Sequence, residues 1–205
     1  MRRIYKSLAI GIASLSLLGT PAYALVDTAA LNTAVTNADA AGLATMMATA
    51  DAATLAQIAT ALSSSGNATL IAAVAASAAN PLTGNPAALT AISTALVATG
   101  NATLISNVAI ASANNTAVLT SVSTQLAASG NASLVVAVLV SIQANATVGA
   151  SVAAIVGPAI VSANPAMATA VTASGAPTTS SDQNSQGNTQ SGNNNNNPAQ
   201  NGSQT

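Results

Sequence analysis

Beyond residue 24 the only ionisable side chains are four carboxylates, Asp27, Asp39, Asp51 and Asp182, and the first three are evenly spaced at twelve residues. Two carboxyl groups facing each other across a bond are the tools of glycoside hydrolysis. Six to eight oxygen ligands gathered together would hold calcium. Neither arrangement is expected here, because each of the first three acids falls where a helix begins. Asp51 sits at a predicted N-cap, Asp39 in the first turn after Asn37, and Asp27 just ahead of the first helical run. A carboxylate there accepts from free backbone N–H groups and meets the positive end of the helix dipole. Asp182 lies in a polar C-terminal stretch.

Ser and Thr are plentiful, but a hydroxyl becomes a nucleophile only beside a base or a metal. After residue 24 there is no His, Cys, Glu, Lys or Arg to activate one. The sequence therefore predicts a protein that is not an enzyme, with no catalytic residue, no cofactor and no metal. It has no cysteine for a disulfide staple. Stability must come from packing and helix propensity.

Arg2, Arg3 and Lys6 are the only cations, and they precede an apolar run from Leu8 to Gly19. Ala22-Tyr23-Ala24 follows with the small-x-small pattern of a cleavage site. A basic start, a short apolar segment and such a site predict a signal peptide over 1–24 and an exported protein, extracellular, at the cell surface or periplasmic. The apolar run is shorter than the roughly 20 residues that span a bilayer. Cleavage after Ala24 removes every cation and both tyrosines, leaving four Asp and a net charge of −4. Phosphate neutralisation needs cations and base stacking needs aromatics, so nucleic acid is excluded as a partner.

What positions these residues is a repeat. Gly66-Asn67-Ala68-Thr69-Leu70 returns as Gly100-Asn101-Ala102-Thr103-Leu104 and again as Gly130-Asn131-Ala132-Ser133-Leu134. Between these marks, Asn85-Pro86-Ala87-Ala88-Leu89 corresponds to Asn115-Thr116-Ala117-Val118-Leu119, and more weakly to Asn145-Ala146-Thr147-Val148. A degenerate first copy begins near Asn37, and a last one runs from about Pro158 through Asn164-Pro165 to Ser174. Pro81-Leu82-Thr83-Gly84 reads as an insertion in one turn.

The Asx residues read as helix caps: Asn37, Asp51, Asn67, Asn85, Asn101, Asn115, Asn131, Asn145 and Asn164. Pro86 and Pro165 follow caps at the position where a missing N–H costs nothing. Gly66, Gly100 and Gly130 fall where a preceding helix would end in a left-handed residue. Larger side chains recur at helical spacing, as in Leu55, Ile58, Leu62 and Leu119, Val122, Leu126. The expected fold over 25–174 is all-α, an α-solenoid-like array of short antiparallel helical hairpins about 30 residues in period. A β-solenoid is the alternative, since Thr, Val and Asn-Gly turns also suit short strands. The most apolar stretch, Leu134–Val140, is expected as a fully buried central helix, or as an assembly or lipid-contact surface. Residues 175–205 are mostly Ser, Asn, Gln, Gly, Thr and Pro with almost nothing to bury, and are expected to be a disordered tail.

An inert, repetitive, weakly charged exported chain points to a structural protein that associates with itself in a matrix, surface coat or filament. Two alternatives share the observations. One is binding to ice or another apolar surface through ranked Thr and Ala methyls, with Thr69, Thr103 and Ser133 as the candidate rank. The other is a helical scaffold wrapping a protein partner along a concave face. Asn67, Asn101, Asn114, Asn131 and Asn145 each open an Asn-x-Ser/Thr triplet, which would be a glycan acceptor in a eukaryotic secretory route.

Overall fold

The structure, a computed structural model, describes residues 27–179. The signal peptide expected over 1–24 and most of the expected tail, from residue 180 onward, lie outside the described residues. The fold is all-α: ten α-helices and no strand among the described residues, which sets aside the β-solenoid. In chain order they are α1 Thr28–Thr36, α2 Ala40–Ala48, α3 Ala52–Ser64, α4 Ala68–Ala78 and α5 Pro86–Ala98. There follow α6 Ala102–Ala111, α7 Thr116–Ala128, α8 Ala132–Gln143, α9 Gly149–Ala163 and α10 Ala168–Ala173, with a 3-10 turn at Pro165–Met167 ahead of α10.

Caps begin most of these helices. The side chains of Asn67, Asn101, Asn115 and Asn131 each accept from the backbone N–H three residues on, at 3.0 to 3.1 Å. Asn85 accepts from Ala87 and Ala88 ahead of Pro86, which needs no partner. Gly66, Gly100 and Gly130 have φ of 67°, 64° and 63°, the left-handed backbone that ends one helix and turns the chain into the next cap.

Helices two apart in sequence pack most closely. α3, α5, α7 and α9 form one row, and α2, α4, α6, α8 and α10 form a second, with α1 beside α2 and α3 at one end. The reason is in the faces. The stripe Leu55, Ile58, Leu62 of α3 is wholly buried, as is Leu119, Val122, Leu126 of α7. Buried alanines such as Ala59, Ala75, Ala88 and Ala109 bring the helices close without filling space. One continuous core results, running from Leu31 to Ala176. Few buried polar atoms interrupt it. Ser93 and Ser121 share a hydrogen bond of 2.9 Å between α5 and α7, and Ser106 and Ser141 share one of 2.7 Å between α6 and α8.

Four expectations need correcting. Asn37 does not start a helix. It ends α1, Ala38 takes φ of 53°, and Asp39 is the cap of α2. Asn suits both ends of a helix, and the charged acceptor two residues later takes the N-terminal role. Asn145 caps only a turn, accepting from Thr147 and Val148, and α9 starts at Gly149. Pro158 lies inside α9 instead of opening a copy of the repeat. It has no N–H to offer the carbonyl four residues earlier.

The fourth concerns residues 175–179, assigned to the tail on composition. Ala176 is buried, and the Pro177 carbonyl lies so near Gly157 of α9 that a Cβ there would collide with it. The folded region therefore continues past Ser174. The segment needs no large side chain to do so, because Gly157 lets its backbone approach directly.

Candidate functional site

Three of the four carboxylates are described, and each is spent on a helix end. Asp27 accepts from Ala29 at 3.0 Å and Ala30 at 3.3 Å, Asp39 from Gly42 at 2.8 Å, and Asp51 from Thr54 at 2.8 Å. Hydrogen bonds from Thr54, backbone first and then side chain, hold the Asp51 carboxyl below the ordinary carboxylate range, with Ala53 adding to the effect. A carboxylate pulled toward the ionised form and fixed to a helix N-terminus is a poor proton donor or acceptor near neutral pH. Among the described residues no three His, Cys, Asp or Glu side chains gather where they could hold a metal. None of the helices among the described residues is long and apolar enough to cross a membrane.

The helix junctions carry a device that the Gly-Asn repeat only half reveals. Ser65, Thr99 and Ser129 each donate to a carbonyl three residues back, at 2.6 to 2.7 Å, and accept from the backbone N–H of the next cap, at 3.1 to 3.2 Å. One hydroxyl thus ties the end of a helix to the start of the next. Ser174 repeats the pattern, donating to Val171 and accepting from Ala176, with Gly175 at φ of 78°. The signal was present in the sequence: a hydroxyl residue precedes the glycine in every copy.

Two asparagines act across the array as well as locally. Asn85 Nδ2 donates to the Met47 carbonyl at 2.9 Å, and Asn164 Nδ2 donates to the Ala127 carbonyl at 3.0 Å. Their Oδ1 atoms meanwhile cap α5 and the 3-10 turn. Partners 38 and 37 residues away leave no mark in local sequence.

The surface rank read from sequence is where it was sought in part. Thr69, Thr103 and Ser133 are exposed and occupy the second position of α4, α6 and α8, neighbours in one row. Each helix contributes a single member at its end. A second set, which the junction motif did not pick out, lies on the other row. Thr60, Thr94 and Thr124 stand nine residues after the caps of α3, α5 and α7, all exposed, with exposed Ala56, Thr90 and Thr120 one turn earlier. The hydroxyls of Thr60, Thr90 and Thr124 are turned back onto carbonyls of their own helices at 2.7 to 3.0 Å.

The stretch Leu134–Val140, expected either as a fully buried helix or as an assembly or lipid-contact surface, is buried on one face and open on the other. Leu134, Val135, Val138 and Leu139 of α8 are buried, but Val136 is half-buried, and Ala137 and Val140 are exposed. They line an open groove of about 590 Å³ between α8 and α10 with Ala166, Thr169 and Ala173. For Val136 the cause is the length of α10, whereas Ala137 is exposed like its equivalents Ala73 and Asn107. Ala72 of α4 and Ser106 of α6, at the position equivalent to Val136, are buried, whereas α10 has only six residues to lay beside α8.

The fold and the site define an all-α protein whose two rows of capped helices present hydroxyl, amide and methyl groups. Comparison with protein-family models, with curated proteins and with solved structures gives no match.

Proposed function

We propose that this chain is an exported structural protein without enzymatic activity, which associates with copies of itself into a matrix, surface coat or filament. On this reading residues 1–24 direct export, the α-solenoid-like array of helical hairpins is the building block, and the polar residues after it are a spacer. The observation that carries it is the use of every described carboxylate as a helix cap, in a chain whose only other ionisable side chain after residue 24 is Asp182. What the surface then has to offer a partner is shape and uncharged hydroxyl, amide and methyl groups. Low net charge gives copies little repulsion to overcome. Sizing and electron microscopy of the processed protein test this directly. Oligomers, fibres or sheets growing with concentration are expected, and a monodisperse monomer at every concentration overturns the reading.

The ranks of Thr60, Thr94 and Thr124 favour a second reading, binding to ice or another apolar surface. With the hydroxyls of Thr60 and Thr124 engaged on their own helices, these positions offer methyl groups at a repeated spacing. Ice recrystallisation assays separate the two readings, since inhibition by the monomer would belong to the second alone.

A further inference from the structure

Among the described residues two large apolar side chains are exposed, Leu82 at 91% and Val140 at 49%. Leu82 stands in the inserted turn between α4 and α5. That turn is tied down: Leu82 N–H donates to Asn80 Oδ1 at 2.9 Å, Gly84 N–H to the Asn80 carbonyl at 2.8 Å, and Asn85 Nδ2 to the Met47 carbonyl at 2.9 Å. The side chain is thus a knob carried on a fixed turn. Val140 lines the apolar groove that short α10 leaves open along α8. Arrays of this kind need a polar outer face on their terminal repeat to stay apart. Here the groove beside the last helix is lined mainly by Val136, Ala137, Val140 and Ala173, with Ser133 and Thr169 as its polar members.

We propose that Leu82 of one copy seats in the α8–α10 groove of a second copy. The inference rests on the self-assembly reading and names the contact that produces it. Leu82 cannot fill the groove of its own chain, because α6 stands between α4 and α8 in their row. Residues 180–205 contain no large apolar side chain that could fill it either. A knob and a hole on different parts of one surface make a heterologous contact. Each bound copy still presents a free knob or a free groove, so the contact repeats from copy to copy, closing into a ring or running on as a filament according to its rotation.

The test uses the 205-residue chain, expressed in full and purified after processing, with Leu82→Asn to remove the knob and Ala137→Gln to fill the groove. Both positions are exposed, so circular dichroism and the melting temperature should match the parent. Each variant alone should need on the order of tenfold more protein to assemble, as expected for losing one buried leucine contact. An equimolar mixture of the two should give discrete dimers, because one intact knob and one intact groove remain per pair. The chain has no cysteine, so oxidation of Leu82→Cys mixed with Val140→Cys should link the two variants to each other. Assembly of Leu82→Asn at the parental concentration overturns the inference while leaving self-assembly standing. So does assembly that depends on Ala137 but not on Leu82, or that requires residues 1–24 to be retained, since another segment then fills the groove. A parent protein that never assembles overturns the underlying reading itself.

Discussion

The middle of the array and its C-terminal end are built on the same junction and finish differently. From α4 to α8 each helix lies between others of its row, and positions such as Ala72 and Ser106 are covered by the next helix along. At the end, α9 is lengthened to fifteen residues, α10 is cut to six, and Ser174-Gly175-Ala176 repeats the junction without a capping Asx to start another helix. The short segment that follows packs by backbone approach on Gly157. The interior is stabilised by interdigitated Leu, Ile and Val. The end buries Val156, Ile160 and Val171 as well, but its last segment is held by close backbone approach, and the closure is incomplete.

The sharpest way to break the comparison is to cut into the interior. Leu126→Ala removes a side chain with no exposure from α7, and a loss of about 3 kcal/mol in unfolding free energy is expected from urea melts. At the end, Gly157→Ala forces a methyl group against the Pro177 carbonyl. A loss of about 1–2 kcal/mol is expected, with protease cleavage between 175 and 179 becoming faster while the interior stays resistant. An interior destabilised as much as the end by that change would mean the two regions are not separable.

Gly100→Ala probes the junction without crowding, because nothing lies within 4 Å of an added Cβ there. Its cost should be that of left-handed backbone alone, about 1 kcal/mol, read as a small drop in melting temperature. The smallest expected effect is on Asp51. Its carboxyl should titrate below the usual aspartate range in a carbon-detected pH series. Since the folded value is the lower one, the cap's contribution is fully present above the unfolded value near 4 and fades as pH falls through the folded value. Asp51→Asn, which keeps a capping oxygen, should flatten that acid dependence with little change in stability at neutral pH.

Legibility from sequence divides along the same line as the bonds themselves. The caps at Asn67, Asn101 and Asn131 were readable because cap, glycine and first turn lie within four residues and recur. Asn37 misled because two Asx residues compete within three positions, and the left-handed Ala38 that resolves the competition carries no glycine to announce it. Of the candidate surface, the rank at Thr69, Thr103 and Ser133 came with the junction motif. Thr60, Thr94 and Thr124 were as regular but lay outside the segment that repeats verbatim. The exposure of Val140 was legible only as one of two readings of Leu134–Val140, since the residue resembles its buried neighbours.

The amino-acid order by itself determined that the chain is helical and where most helices start and stop, because capping and left-handed termination are settled by groups a few bonds apart. Tertiary structure alone decided which helices lie side by side, which carbonyls Asn85 and Asn164 reach, and which apolar face is left open. Those outcomes depend on the lengths of elements some 30 residues apart, and packing between them is a property of surfaces brought together by the fold.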